Sequence, residues 1–190
     1  MCIRDRDFSA YEFEHPEGYP LDTARLKNVA REVAKMARWG REVPDGHGLG
    51  IAVHYSFYSY VASVVEVAVA DDGSWHVPYV YTAIDCGLAV NPDRVRAQME
   101  GSAVFGLSLA RSGEITARQG RVVQGNFNNY PVMRIDQAPV TVARIIRNNE
   151  PPAGVGEPGV PPIAPALVNA LYAATGKRFR KLPLGNRLAL

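Results

Sequence analysis

The stretch from Tyr60 to Ile84, YVASVVEVAVADDGSWHVPYVYTAI, decides the fold. Its first half, Tyr60 to Ala70, places valines at 61, 64, 65, 67 and 69, so the segment is apolar on both faces. That pattern predicts a buried strand, because a strand with one wet face alternates apolar with polar residues. Asp71-Asp72-Gly73-Ser74 supplies the turn chemistry of a hairpin. The chain then returns as a second strand over Trp75 to Ile84, with Trp75, Val77, Tyr79 and Tyr81 expected on one face. Pro78 has no N–H to give to a ladder, which places the start of this strand at a sheet edge.

Working outward, Ile51 to Tyr55 reads as a further strand, entered through a Gly/Pro-rich loop over Arg41 to Gly50. Before it, Leu21 to Trp39 reads as a helix. Asp22 or Thr23 can cap it, Leu26, Val29, Val33 and Met36 form one apolar stripe, and Gly40 follows its end. Past the hairpin, Asn91 as N-cap and Pro92 at the first helical position open a second helix that runs to about Ala110. Short strands are predicted over Glu114 to Ala117, Arg121 to Gln124 and Val140 to Arg147. A Pro/Gly-rich loop over Pro151 to Pro162 leads into a third helix, Ile163 to Thr175, stopped at Gly176. This helix is apolar nearly all round and is expected to be buried. The element order predicts an α+β fold, a mixed sheet with packed helices.

The 190 residues are enough for one domain with a real core. No long apolar run is present, so no membrane span is predicted. The 21 basic and 19 acidic residues leave a net charge of +2, too balanced for a dedicated nucleic-acid binder that must neutralise phosphates. Two cysteines, Cys2 and Cys86, cannot build a disulfide framework or a four-thiolate metal site. The four histidines show no helical i, i+4 pairing, so no protein-ligated metal is expected. Cys86 has no adjacent base and reads as a small buried hydrophobe. Met1 to Arg6 lacks the apolar core of a secretory signal, and residues 1–20 are expected to be a tail or a truncation edge.

Two constellations carry chemistry. Between Pro151 and Gly176, Glu157 is the one side chain charged at neutral pH, set among six prolines and four glycines. Desolvation there would raise the proton affinity of its carboxylate and suit it to acid–base work. The glycines beside it, Gly156 among them, would let a bulky ligand approach the backbone. A surface carboxylate in a Pro/Gly turn fits the local chemistry equally well. In the second helix Gln98, Gly101, Ser102 and Phe105 share a face. Gly101 and Gly106 each cost about 1 kcal/mol against alanine in a helix interior. Such a face suits close approach of a ligand hydrogen-bonded by the amide; ordinary helix packing over glycine, with Gln98 exposed, is the simpler reading of the local chemistry. The run Gly46-His47-Gly48-Leu49-Gly50 is not the dinucleotide pattern, since a strand follows it where a helix should.

In chain order, Asp85-Cys86-Gly87-Leu88-Ala89-Val90-Asn91-Pro92, Gln98-Met99-Glu100-Gly101 and Gly154-Val155-Gly156-Glu157-Pro158 resemble the molybdenum-binding subunit of the xanthine dehydrogenase and aldehyde oxidase family. Three further segments resemble the isoquinoline 1-oxidoreductase branch of that family, in its beta subunit: Val53 to Tyr60, Asn126 to Pro131 and Gly159 to Ala166. The resemblance covers residues 21–190, as the C-terminal part of a molybdopterin-binding domain. It implies a molybdenum-dependent oxidoreductase that hydroxylates an N-heteroaromatic carbon with water-derived oxygen. An aldehyde-type relative, or a non-catalytic fragment that docks on a partner, are the alternatives. The implied cofactor is molybdopterin with molybdenum, in the cytosine dinucleotide form, and it needs no protein cysteine. Glu157 matches the family's catalytic glutamate, and Gln98 the glutamine that hydrogen-bonds the cofactor, with Gly101 and Gly156 as further contacts. The implied partners are a preceding part of the same subunit and a small [2Fe–2S] subunit that receives electrons. The segment is expected to be inactive alone. His47 and Leu49 stand where relatives often carry arginines, which leaves a cofactor role for Gly46 to Gly50 open.

Overall fold

The computed structural model describes residues 21–188. The expectations for residues 1–20 and Cys2 therefore lie outside the described residues. Three helices, α1 (Thr23–Met36), α2 (Pro92–Ser112) and α3 (Ile163–Thr175), pack on a sheet of β1 (His47–Ser56), β2 (Ser59–Val69), β3 (Trp75–Asp85) and β6 (Val140–Ile145). The strand order is β1-β2-β3-β6. The first two pairings are antiparallel and the third is parallel, so the sheet is mixed. A separate ribbon pairs β4 (Ala117–Arg118) with β5 (Arg121–Val122). No helix among the described residues is long and apolar enough to cross a membrane.

The helix boundaries follow from their caps. Asp22 accepts the N–H groups of Ala24 and Arg25 at the start of α1, and Asn91 accepts that of Arg94 at the start of α2. Gly176, at φ 72°, ends α3 in the left-handed region that glycine enters without penalty.

β2 is buried at every residue from Ser59 to Ala68, because helices cover both faces of the sheet. Val29 and Val33 of α1 pack with Tyr60, Ala62, Val64 and Ala83. On the other face, Val65, Val67 and Val80 pack with Ala103 and Leu107 of α2 and Leu167 and Leu171 of α3. Val61, Ile84 and Cys86 close the end of that face against Val95 and Met99.

Three expectations need correction. Trp75 and Val77 face α2 and α3, whereas Tyr81 faces α1. The pairing slips between Glu66 and Ala68, and this bulge turns the alternation of β3 over at Pro78. The edge position predicted from Pro78 does occur, since β6 pairs with β3 only from Tyr79 onward. α3 is buried on one side only. Its outer side, Pro165, Asn169, Tyr172 and Ala173, is exposed, with the Arg178 guanidinium 3.8 Å from the Tyr172 ring centre. Finally, β1 begins at His47, so Gly48 and Gly50 lie inside the strand. A β-carbon on Gly50 would sit 2.1 Å from the Ala166 carbonyl oxygen, and one on Gly48 2.2 Å from that of Ala170. These glycines let the backbone of α3 lie directly on β1, and that contact occupies the space above the run.

Candidate functional site

Three elements converge on residues 150–159. The first is the β1–β2 hairpin, whose two-residue tip, Phe57 and Tyr58, has φ of 52° and 62°. Both values belong to the turn whose twist matches that of paired strands. The Gly154 N–H donates to the Phe57 carbonyl at 2.9 Å, and the Ser59 hydroxyl donates to the Gly154 carbonyl at 2.6 Å. The second is α2. Gln98 Nε2 donates to the Gly156 carbonyl at 3.2 Å, and Gly159 lies against Ser102 and Met99 so closely that a β-carbon would meet Ser102 Oγ at 2.6 Å. The third is the end of β3. The Ala153 N–H donates to the Cys86 carbonyl at 3.0 Å, and that of Leu88 to the Glu150 carbonyl at 2.9 Å.

Gln98, Gly156 and Glu157 are thereby gathered in one place although 58 positions separate Gln98 from Gly156. Gly101 lies one turn further along α2, with nothing within 4 Å of where its β-carbon would be. Glu157 itself is exposed. The desolvation expected for its carboxylate is not supplied by the described residues. Phe105, on the same helical face, is 57% exposed. Gly106, by contrast, is packing: a β-carbon there would strike Ile163 at 2.7 Å. Asn126 to Pro131 forms an exposed loop closed on the Asn129 side chain, which accepts from Gly125 and Asn126. His54 is half-buried, and burial lowers its proton affinity. Cys86 is buried, and the same effect raises the pKa of its thiol.

Sequence reasoning missed two buried carboxylates. Asp85, 2% exposed, accepts from Arg25 Nε at 2.9 Å and Nη2 at 2.7 Å, from Asn148 Nδ2 at 2.6 Å and from the Gly87 N–H at 3.2 Å. Burial alone would raise the pKa of this carboxyl; the donors from Arg25, Gly87 and Asn148 outweigh it and hold the pKa below the ordinary carboxylate value. Glu66, 4% exposed, bonds Arg41 at 2.5 Å and His47 at 3.1 Å. One signal was available for each: a lone acid inside, or closing, an otherwise apolar strand.

The groups that Gln98, Gly101 and Gly156 present are an exposed amide and bare backbone rather than a set of anionic metal ligands. Among the described residues, no group of three or more His, Cys, Asp or Glu could hold a metal ion. The open surface at Gly101 and the amide beside it fit the organic part of a large cofactor. A cleft of about 770 Å³ lies elsewhere, along the free edge of β6, and is lined by Met36, Leu88, Arg96, Arg144 and Asn148. It contains none of the residues predicted for the site.

Residues 19–139 match the model of the molybdopterin cofactor-binding domain. The chain belongs to that family. Glu157 and Gly156 lie beyond the matched residues, within the longer span shared with individual relatives. The beta subunit of isoquinoline 1-oxidoreductase from Brevundimonas diminuta is 37% identical over 165 residues, covering 85% of this chain and 21% of that protein. A nicotinate dehydrogenase subunit of Pseudomonas putida is 32% identical, covering 86% of this chain and 15% of its own length. The chain thus spans about a fifth of the length of these relatives, or less. Both are named as subunits. The CO dehydrogenase of Oligotropha carboxidovorans superposes with a TM-score of 0.59 at 20% identity, over 67% of this chain and 17% of that one. That likeness bears on the fold, which is the α+β mixed sheet with packed helices expected from the sequence.

Proposed function

We propose that this chain is the C-terminal part of a molybdenum hydroxylase subunit, which hydroxylates an N-heteroaromatic carbon with oxygen derived from water. Supporting this reading is the bond from Gln98 Nε2 to the Gly156 carbonyl, which holds the helix-borne amide beside the loop that carries Glu157. The names of the two relatives, which concern isoquinoline and nicotinate, favour a nitrogen heteroaromatic substrate.

In this reading Gln98, Gly101 and Gly156 hold molybdopterin in its cytosine dinucleotide form: the amide by hydrogen bonding, the glycines by letting the ligand reach the backbone. When bound, the cofactor supplies the two-electron oxidation. Glu157 acts as general base, its carboxylate taking the proton from the water-derived hydroxyl as the oxygen attacks the electron-poor ring carbon; the C–H bond at that carbon breaks, and its hydrogen and electron pair would go to the two-electron oxidant that the cofactor supplies. The carboxylate is exposed on this chain, so the cofactor and the rest of the subunit enclose it. Electrons leave to a [2Fe–2S] partner subunit.

Glu157→Gln in the cofactor-loaded protein tests the role. Molybdenum content is expected to stay at the wild-type level, while turnover of an isoquinoline-type substrate falls by about 10²–10⁴-fold, the ordinary worth of a general base. Turnover near the wild-type rate with full metal content would remove Glu157 from the reaction. Turnover of aldehydes alone would move the substrate assignment to the aldehyde-type relatives.

A further inference from the structure

The loop that carries Glu157 is fixed at its root by a junction that touches none of Gln98, Gly101, Gly156 and Glu157. Asn148 joins two partners: its Nδ2 donates to Asp85 Oδ1 at 2.6 Å, and its Oδ1 accepts the Glu150 N–H at 3.0 Å. Asp85 also holds the Gly87 N–H. Gly87 has φ 66°, and a β-carbon there would lie 2.1 Å from the Pro151 carbonyl oxygen. Only glycine allows the two backbones to lie this close in that conformation. Arg25 grips both oxygens of the Asp85 carboxylate through two nitrogens, so the junction is anchored to α1 as well.

The segment beyond the junction is stiff. Pro151 and Pro152 fix φ at the first two positions of the loop. Gly154 is pinned to the hairpin and Gly156 to Gln98. A displacement at Glu150 and Pro151 therefore strains the contacts that hold Ala153, Gly154 and Gly156, the residues that lead to Glu157. No hydrogen bond links Asp85 or Asn148 to Glu157 itself.

We propose that Asp85, Asn148 and Gly87 are positioning residues, which set the place of the Glu157 loop relative to Gln98. The proposal rests on the reading of Glu157 as the base, but its structural half can be measured without turnover.

Asp85→Asn and Gly87→Ala in the cofactor-loaded protein test it. Asp85→Asn weakens the junction by removing its charge. Gly87→Ala leaves the Asp85–Arg25 pair in place and pushes on Pro151 directly, which guards against a fold lost through the buried pair. Hydrogen exchange is read by mass spectrometry over residues 150–160 and, as a control, over β2. The expected result is exchange about tenfold faster in residues 150–160 with β2 unchanged. With it, kcat should fall by about a hundredfold, the effect of a small misplacement of a reacting group. KM should stay within about twofold of wild type, since substrate contacts are untouched. Wild-type exchange over 150–160 would overturn the proposal. Faster exchange spread equally over β2, or a rise in KM with kcat unchanged, would overturn it too, showing a structural pin only. A failure of Glu157→Gln to lose turnover would instead strike the base assignment and leave the exchange result to stand on its own.

Discussion

At the scale of single residues, the buried pair Arg25–Asp85 has a measurable signature. The folded-state pKa of Asp85 is depressed relative to its ordinary value of about 3.9. The unfolded chain then binds the proton more readily, so the pair's stabilisation is complete above that ordinary value. It is lost as pH falls from there through the lower folded-state pKa. Urea denaturation at pH 7 and near pH 3 should show a larger loss for the wild type than for Asp85→Asn. Arg25→Ala leaves a carboxylate that is 2% exposed without its counter-charge, and is expected to cost about 3–5 kcal/mol at pH 7. A cost below about 1 kcal/mol would place that carboxylate in contact with water. Gln98, Gly156 and Glu157 could be singled out in sequence because a lone acid in a Pro/Gly run, and an amide beside a helical glycine, are visible as local chemistry. The Asp85 junction was not, since its partners Arg25 and Asn148 lie 60 and 63 positions away and only the sheet brings them together.

At the scale of elements, the helices were readable from their ends except at the close of α1, which stops at Met36 with Arg38 in the left-handed region rather than at Trp39 before Gly40. Asp22, Asn91 and Gly176 are terminal signals whose chemistry is local. The faces of β3 were not readable past Val77, because the bulge opposite Pro78 is set by pairing with β2 and leaves no mark in the alternation itself. The glycines of β1 carried a message that periodicity could not express, namely that a helix backbone lies on them. Gly50→Ala is expected to destabilise the chain by about 1–3 kcal/mol, as overpacking of a closed contact does, checked by the urea midpoint. Substitution without cost would mean that α3 does not rest on β1 as closely as 2.1 Å implies. Gly101→Ala, with open space around it, provides the control, and should raise stability by about 1 kcal/mol.

At the scale of the whole molecule, a mixed sheet with packed helices was legible from the order of the elements; that the helices cover both its faces is a finding of the structure. The openness of the site was not, because exposure depends on what covers a surface. Gln98, Gly101, Phe105 and Glu157 all lie on exposed surface, and a large cofactor held there would be gripped from one side. The 190-residue chain purified alone is therefore expected to hold no stoichiometric molybdenum by elemental analysis. One atom per chain would show that these residues suffice to retain the cofactor.

The parallel pairing of β3 with β6 also sets an order of events during synthesis. Tyr79 faces Val140 across the ladder, so β3 waits for α2 and the β4–β5 ribbon to be made before its outer edge is filled. Until Asn148 leaves the ribosome, Asp85 has only Arg25 and a backbone N–H for company. The nascent chain thus carries the outer edge of β3 open from Asp85 until β6 is made, a state that favours mispairing with neighbouring chains. The last strand to arrive both closes that edge and roots the loop of Glu157, so completion of the sheet and assembly of the site are one and the same late step.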